Sequence, residues 1–459
     1  MIRPLVMKFG GTSVGTADAM SRAADIIASR VTGGDPVVVI VSAMSGVTDA
    51  LIASCHSAKR GDVGDVEARI ASIRERHDRA VSQLFAGSRA GDLQRFVAEV
   101  CNDVRAVLTS VSVLQELTPR GADRVAAAGE LMSSRIVAAV VQARGIAARW
   151  IDARRTIVTD AHFGAALPLE ATRAAVAREA GPAIDQRHVV VLGGFVGATA
   201  DGITTTLGRG GSDYSAAIVG AALDAGEIQI WTDVDGMLTA DPRVVADAQL
   251  VPQLSFEEAS ELAYFGAKVL HPSTILPAIE KNIPVRILNT MRPENPGSVI
   301  AAGSAADGRT LTAIACKRNV TVVDIRSTRM LQAHGFLKRV FEVFERHATS
   351  VDVVTTSEVS VSMTLDDDRG IEGIERDLSE FATVQVERGM AIVSAVGDTL
   401  RADPTLAVSI IAALGRLPLR MVSQAASRRN VTVVLNDCDV PAAMTRLHAE
   451  FFTGVGARA

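Results

Sequence analysis

One short run, Val6-Met7-Lys8-Phe9-Gly10-Gly11-Thr12-Ser13-Val14-Gly15, constrains this chain more than any other. It sets a lysine, three glycines and two hydroxyls directly behind an apolar strand. Leu5 to Phe9 is short, apolar and bounded by glycine, which predicts a buried strand, and a helix is expected to open at or near Ser13. Glycines let backbone N–H groups turn toward an anion with no Cβ in the way, and a helix start adds its positive end. Lys8 can supply a full charge. The pattern is that of a phosphate loop, yet it is neither a Walker A loop nor a Gly-x-Gly-x-x-Gly dinucleotide fingerprint. Strand–Gly-Gly–helix turns also serve as plain structure in α/β proteins, so the loop alone leaves both readings open.

The same logic recurs down the chain. Pro36 to Ser42 is a β-branched run, as in a parallel strand buried on both faces, and leads into Ala43-Met44-Ser45-Gly46-Val47-Thr48-Asp49. Open α/β sheets bind ligands at such carboxyl ends, which makes Ser42 and Thr48 candidates; the hydroxyls could equally cap the next helix. Glu130 stands beside Gly129 in an alanine-rich segment, placed to bind an amine or to favour a helix N-terminus. His188 to Gly197 is another strand followed by glycines. Thr204 to Ala217 then carries Leu207-Gly208-Arg209-Gly210-Gly211-Ser212-Asp213-Tyr214. Arginine suits a carboxylate, which it grips with two parallel hydrogen bonds. Asp213 could organise a lysine or a Mg²⁺ beside phosphates. Ile228 to Gly236 runs from a strand into Thr232, Asp233 and Asp235, and Asp241-Pro242-Arg243 reads as a turn. Ser255 to Leu270 reads as helix and holds Lys268, either a second phosphate cation or a lysine reaching for the surface.

A chain of 459 residues, 48% hydrophobic, is expected to form two or three domains. Its net charge of −5 offers no basic field for nucleic acid or anionic membrane. Cys55, Cys101, Cys316 and Cys438 are scattered, with neither disulfide-framework nor zinc spacing, and no protein-held metal is expected. No continuous apolar run reaches the roughly 18 residues of a membrane span, and no signal region opens the chain, so a cytoplasmic location with small-molecule partners is expected. Residues 61–112 read as helices with a solvated charged face, Arg74 to Asp78, and His77 is expected at the surface. After about residue 305 short strands and helices recur in β, α, β, β order, an internal repeat of small α+β units without cation–glycine loops, assigned to binding and regulation.

Taken together and in this order, Lys-Phe-Gly-Gly-Thr-Ser-Val, Leu-Gly-Arg-Gly-Gly-Ser-Asp-Tyr, Trp-Thr-Asp-Val-Asp-Gly with Asp-Pro-Arg, and Phe-Gly-Ala-Lys-Val-Leu-His-Pro resemble the monofunctional aspartate kinases over nearly the whole chain, and Met330-Leu331, Gly335-Phe336-Leu337, Ser350-Val351-Asp352 and Thr355 to Ser360 resemble their lysine-sensitive branch. The resemblance implies an α/β amino-acid kinase fold, a three-layer sandwich about a mostly parallel sheet, over residues 1–300. Tandem ferredoxin-like α+β ACT domains are implied after it: a first over 319–387, inserted into a second made of 311–318 and 388–459. It further implies phosphoryl transfer from ATP, with Mg²⁺ carried by the nucleotide, to the side-chain carboxylate of L-aspartate. Lys8 and Lys268 then act on the transferring phosphates, and Asp213 holds the lysine or Mg²⁺ geometry. Thr48, Glu130, Arg209 and Ser212 contact aspartate, and Gly10, Gly11, Thr232, Asp233, Leu238 and Arg243 join Lys8 and Lys268 at the nucleotide. Leu238 replaces the tyrosine that relatives often place beside the nucleotide.

In the first ACT unit the implied inhibitor pocket comprises Met330, Gly335, Phe336, Leu337, Ser350, Val351, Asp352, Thr356, Ser357 and Glu358. Its inhibitor would be L-lysine, with Asp352 meeting an ammonium; Gln332, where a histidine is expected, leaves threonine as the other choice. The ACT units are implied to pair across a homodimer, which could double to a tetramer. Two alternatives stand beside this reading: another acid kinase of the same fold, and a non-catalytic amino-acid sensor on a kinase scaffold. Retention of Lys8, Arg209, Asp213 and Lys268 argues against the sensor, which has no use for phosphate cations.

Overall fold

The computed structural model describes residues 3–266, 270, 272–303, 309–327, 334–403, 405–424 and 429–453. Lys268 and Met330 lie outside the described residues. In chain order the elements are β1 (Leu5–Phe9), α1 (Ala17–Thr32), β2 (Val37–Val41), α2 (Val47–Lys59), α3 (Val63–Leu84), α4 (Gly87–Leu114), α5 (Pro119–Ala126) and α6 (Ala128–Ala143). Next come β3 (Ala148–Trp150), β4 (Val158–Thr159), α7 (Ala171–Asp185), β5 (Val189–Gly193), β6 (Val196–Thr199), β7 (Thr204–Thr206), α8 (Gly211–Ala222) and β8 (Glu227–Thr232). They continue with β9 (Gln253–Ser255), α9 (Phe256–Tyr264), α10 (Leu276–Glu280), β10 (Val285–Asn289), β11 (Ser298–Ala301), β12 (Ala313–Arg326), α11 (Phe336–Arg346), β13 (Val354–Thr356) and β14 (Ser360–Leu365). The chain ends through α12 (Ile371–Ser379), β15 (Thr383–Val396), α13 (Thr405–Leu414), β16 (Leu419–Ser423), β17 (Asn430–Asn436) and α14 (Val440–His448).

Two compact units result, Met1–Met237 with Val269–Gly303, and Leu238–Lys268 with Ser304–Ala459. In the first, seven strands lie in the order β3-β5-β2-β1-β8-β10-β11. All neighbours are parallel except β10 and β11. Every residue of β1, β2 and β5 is buried, as their unbroken apolar runs require of strands covered on both faces. Leu5, Met7 and Phe9 enter one core with Met20, Ile27 and Leu51. Lys8, alternating with them, faces the other side of the sheet.

His77 is not at the surface: it is fully buried. Val66, Ile70, Ile73, His77, Ala80 and Val81 recur at helical spacing as the buried stripe of α3, and the charged residues interleaved with them obscure that period in the sequence. His77 Nδ1 lies 2.7 Å from the Ile73 carbonyl. Burial pushes the imidazole down to about 4, so the ring is neutral near pH 7, with Nδ1 carrying the proton toward that carbonyl. The helical stretch Pro119–Ala143 is, against expectation, long and apolar enough to pass as a membrane span by length and composition. Its apolar 18-residue window is 89% buried within the molecule, so the stretch serves as a core element.

In the second unit a six-stranded antiparallel sheet runs β13-β14-β12-β15-β17-β16. β12 and β15 are each 14 residues long and slip register between Lys317 and Val322. On either side of that slip stand separate cores, one around Ile314, Val393, Ile410, Val433 and Met444, the other around Val323, Val340, Phe344, Met363 and Ile374. Ala313 to Cys316 pair with Val396 to Val393, on the side of the former core.

Residues 238–268, expected with the first 300, group instead with this second unit. Ala240 and Val245 join its Ile314 core, and the Thr239 hydroxyl meets His448 Nε2 at 2.9 Å. Glu258, the capping-box acid of α9, is buried; besides the Ser255 N–H at 2.8 Å it accepts from the Thr312 hydroxyl at 2.5 Å and the Asp398 N–H at 3.0 Å. Gly266 follows α9 with φ +116°, and a Cβ there would stand 2.1 Å from the Cys316 carbonyl oxygen. Gly266→Ala is therefore expected to cost at least about 2 kcal/mol, since both the backbone conformation and the space exclude it. Chemical denaturation would measure this, and an unchanged midpoint would show that the end of α9 can leave Cys316 freely.

Candidate active site

Four parallel strands of the first unit end side by side. The Gly10 N–H donates to the Trp231 carbonyl (3.0 Å), the Ser42 N–H to Phe9 (3.1 Å), and the Gly194 N–H to Val41 (2.9 Å), so β8, β1, β2 and β5 finish at one level. Phe9 and Trp231 stack beneath, ring centroids 6.0 Å apart. Carboxyl ends of parallel strands are where open α/β sheets hold ligands.

Lys8 projects from β1 toward α8, and its Nζ lies 2.7 Å from Asp213 Oδ1, the two side chains only 10% and 16% exposed. Asp213 occupies the first turn of α8, which starts from Gly210 in a left-handed conformation (φ +69°). A Cβ on Gly10 would stand 3.7 Å from Lys8 Nζ and 3.9 Å from Thr232 Oγ1, so glycine keeps the approach to the cation open. Gly11 packs so closely on the next loop that its Cβ would meet the Ala43 carbonyl at 3.0 Å. The Thr232 hydroxyl lies 3.2 Å from Asp233 Oδ1.

Glycines also draw the other candidates onto this edge. A Cβ on Gly194 would fall 2.7 Å from Ser212 Cβ, one on Gly193 3.1 Å from Glu130 Cβ, and one on Gly129 2.7 Å from Ala43 Cβ and 3.2 Å from Val47. Thr48, half-buried, follows Val47 in the first turn of α2. Glu130 is buried in the first turn of α6, and its Oε2 has no hydrogen-bond partner. Burial pushes this carboxyl up to about 8, against opposing backbone hydrogen bonds at Ala43 and Glu130. Arg209 is exposed and makes no ion pair among the described residues. The first unit thus offers a nearly buried cation held by Asp213, a buried acid with one oxygen unpartnered and an exposed guanidinium, a set that suits phosphate, ammonium and carboxylate.

Asp123, which the motifs did not single out, is buried in the middle of α5. It accepts hydrogen bonds from the Gly164 N–H (3.0 Å), the Thr206 N–H (2.9 Å) and the Thr206 hydroxyl (2.8 Å), anchoring the strand that leads to Gly208 and Arg209. Its signal in the sequence is an acid seven residues before Glu130 in the same alanine-rich stretch. Leu238 and Arg243 belong to the second unit, where Arg243 forms a two-pronged pair with Asp241.

In that unit Gly335 (φ +84°) precedes α11, Phe336 is buried in the Val340 core, and Val351 packs on the same core. Leu337, Ser350, Thr356, Ser357 and Glu358 are exposed. The Ser357 hydroxyl is within 2.7 Å of Ser360 Oγ, closing a turn. Asp352 already meets an ammonium from the chain itself: Lys317 Nζ is 3.2 Å from its Oδ2 and 4.8 Å from the Tyr264 ring centre, while the Tyr264 hydroxyl donates to Oδ1 at 2.9 Å. Burial raises the Asp352 carboxyl above its ordinary range, with Lys317 opposing.

Residues 3–289 match the amino acid kinase family and residues 393–451 an ACT domain. Aspartokinase 3, chloroplastic, of Arabidopsis thaliana is 39% identical over 97% of this chain and 81% of its own. The crystal structure of E. coli aspartokinase III in complex with lysine and aspartate (T-state) superposes with a TM-score of 0.83 at 34% identity, over 98% of this chain and 99% of the other. The form in complex with aspartate and ADP (R-state) gives 0.82 at 33%, over 98% and 100%. With an amino acid kinase fold, a strand-end site of this composition and likeness along nearly its full length, the chain belongs to the aspartokinase family.

Proposed function

We propose that this protein transfers the γ-phosphate of ATP to the side-chain carboxylate of L-aspartate, giving 4-phospho-L-aspartate and ADP, the first step toward lysine, threonine and methionine. The observation that carries the reading is the Lys8–Asp213 pair beside Gly10, a shielded cation with a clear approach. The aspartate and ADP held by E. coli aspartokinase III support it. A carboxylate is already nucleophilic at pH 7, so no general base is required, and catalysis reduces to alignment and charge neutralisation. Lys8 serves the transferring phosphates, and Asp213 holds its ammonium in place. Lys268 is assigned as the second cation. Mg²⁺ would arrive on the nucleotide and supply further neutralisation. Gly10, Gly11, Thr232, Asp233, Leu238 and Arg243 are assigned to the nucleotide. Thr48, Ser212, Glu130 and Arg209 are assigned to aspartate, Glu130 taking the ammonium and Arg209 a carboxylate.

Feedback inhibition through the ACT units is part of the same reading, with L-lysine as the inhibitor, as the lysine bound to E. coli aspartokinase III suggests. The ACT division at 311–318 plus 388–459 and at 319–387, a homodimer through those units and a cytoplasmic location complete it.

Three outcomes are expected. With L-aspartate and MgATP, hydroxylamine should trap an acyl phosphate, and millimolar lysine should suppress it. Suppression by threonine alone would transfer the pocket to the other amino acid, and no product from folded protein would end the kinase reading. Lys8→Ala should lower kcat by roughly a thousandfold or more, because the phosphate charge loses its preorganised partner; near-normal turnover would remove Lys8 from the reaction. The third concerns protons. Below about pH 8 the free site holds one on Glu130, and an incoming ammonium favours the carboxylate, so aspartate binding near pH 7 should release close to one proton and tighten as pH rises toward 8. Calorimetry in buffers of different ionisation heat would count it. A release that persists in Glu130→Gln would assign the proton elsewhere.

A further inference from the structure

Arg76 lies on α3, outside every motif that marks the site, yet its guanidinium reaches both loops that form it. Nη1 donates to the Ser45 carbonyl at 2.5 Å, and Nη2 donates to the Gly15 carbonyl at 3.2 Å. Gly15 closes the loop after β1, and Ser45 belongs to the loop after β2. These loops already touch: the Ser45 N–H donates to the Gly11 carbonyl at 3.1 Å, and a Cβ on Gly15 would stand 3.0 Å from the Gly11 oxygen and 3.7 Å from Ser45 Cβ. The planar fork of arginine spans two carbonyls at once, which a lysine ammonium on its flexible stem cannot reproduce.

The two peptides held are the last before helices. Gly15 precedes Thr16, the N-cap of α1, and Ser45 precedes Gly46, the left-handed residue (φ +78°) at the N-cap of α2. A trans peptide sets its C=O and N–H on opposite sides, so fixing these carbonyls on α3 turns the Thr16 and Gly46 amide groups away from α3. α3 is itself held from within, because the next residue, His77, is buried and bonded to Ile73.

From this geometry we infer that Arg76 is a positioning residue, locking the glycine loop beside Lys8 to the Ser45 loop that leads into Thr48 and so setting the distance between phosphate donor and carboxylate acceptor. The inference rests on the kinase reading, in which the first loop serves the nucleotide and the second aspartate. In that reading Arg76 acts through the two loop carbonyls and not on either reactant. Its loss should therefore disturb alignment more than affinity, and misplacement of order 1 Å in a near-attack geometry costs about a hundredfold in rate.

The test uses the full chain. Arg76→Ala is expected to lower kcat ten- to a hundredfold while KM for aspartate and for ATP stay within about threefold. Arg76→Lys should recover thermal stability but not kcat, and millimolar guanidinium should restore part of the Arg76→Ala rate along a saturating curve. Hydrogen exchange without substrate provides a readout independent of turnover: the Ser45 amide, bonded to Gly11, should exchange faster in Arg76→Ala than in the parent protein. An unchanged kcat, or a full rescue by lysine, would overturn the positioning role. So would exchange at Ser45 equal to that of the parent. If the parent protein itself forms no acyl phosphate, the kinase reading fails, and the exchange comparison still decides whether Arg76 holds the loops.

Discussion

An ammonium with a tenth of its surface left in water has to be paired, and the arrangement of the first unit follows from how Lys8 is paired. Its partner lies far along the chain on α8, so β1 and α8 must meet in one orientation. Removing one member of such a pair strands the other, at a cost of about 3–5 kcal/mol where burial is complete and less here, where Asp213 keeps some solvent. The close approach is made possible by residues without side chains. Gly210 lets the chain turn into α8, and Gly194 admits Ser212 against the end of β5. The polar contact and the glycines are one device, because either alone leaves Lys8 without its counter-ion.

Around that pair the electrostatics are uneven in a useful way. Lys8 is neutralised and held, whereas Glu130 is buried with an oxygen unpartnered and its carboxyl pushed toward neutrality. A buried acid in that state is a poor contribution to stability and a good one to recognition: an ammonium brings the charge that ionisation lacks. Arg209, in contrast, is exposed to water. The site therefore separates the three charges of its proposed reactants before either arrives, and little reorganisation remains for the transfer itself.

Much of this was legible because glycines, a lysine and acids punctuate apolar strands in ways that composition alone does not require. Lys8, Glu130 and Asp213 stand out against the strands and alanine-rich segments that carry them, and the structure brings them to one edge. His77 was misread for the opposite reason. Four charged neighbours on an amphipathic helix hide a period that Ile70, Ile73 and Val81 keep. Asp123 escaped because a buried acid satisfied by backbone N–H groups has no local signature beyond its spacing from Glu130. The grouping of residues 238–268 was illegible in principle, since nothing in a turn-rich segment tells which core Ala240 and Val245 will enter.

That grouping matters for control. The segment carrying Leu238, Arg243 and the Phe-Gly-Ala stretch before Lys268 is continuous in sequence with β8, yet within it Thr239 meets His448 of α14, Glu258 meets Thr312 and Asp398, and Gly266 packs on Cys316 of β12. Tyr264 on α9 shares Asp352 with Lys317, whose ammonium also meets Asp366 at 2.5 Å. A ligand ammonium at Asp352 would have to compete with Lys317 for it, so such a ligand binds well only where that competition is relieved. A shift between two states can be no larger than the ligand's difference in affinity for them. The strength of the Lys317–Asp352–Tyr264 cluster therefore bears directly on how far an amino acid could move the segment, because each contact the ligand displaces subtracts from that difference.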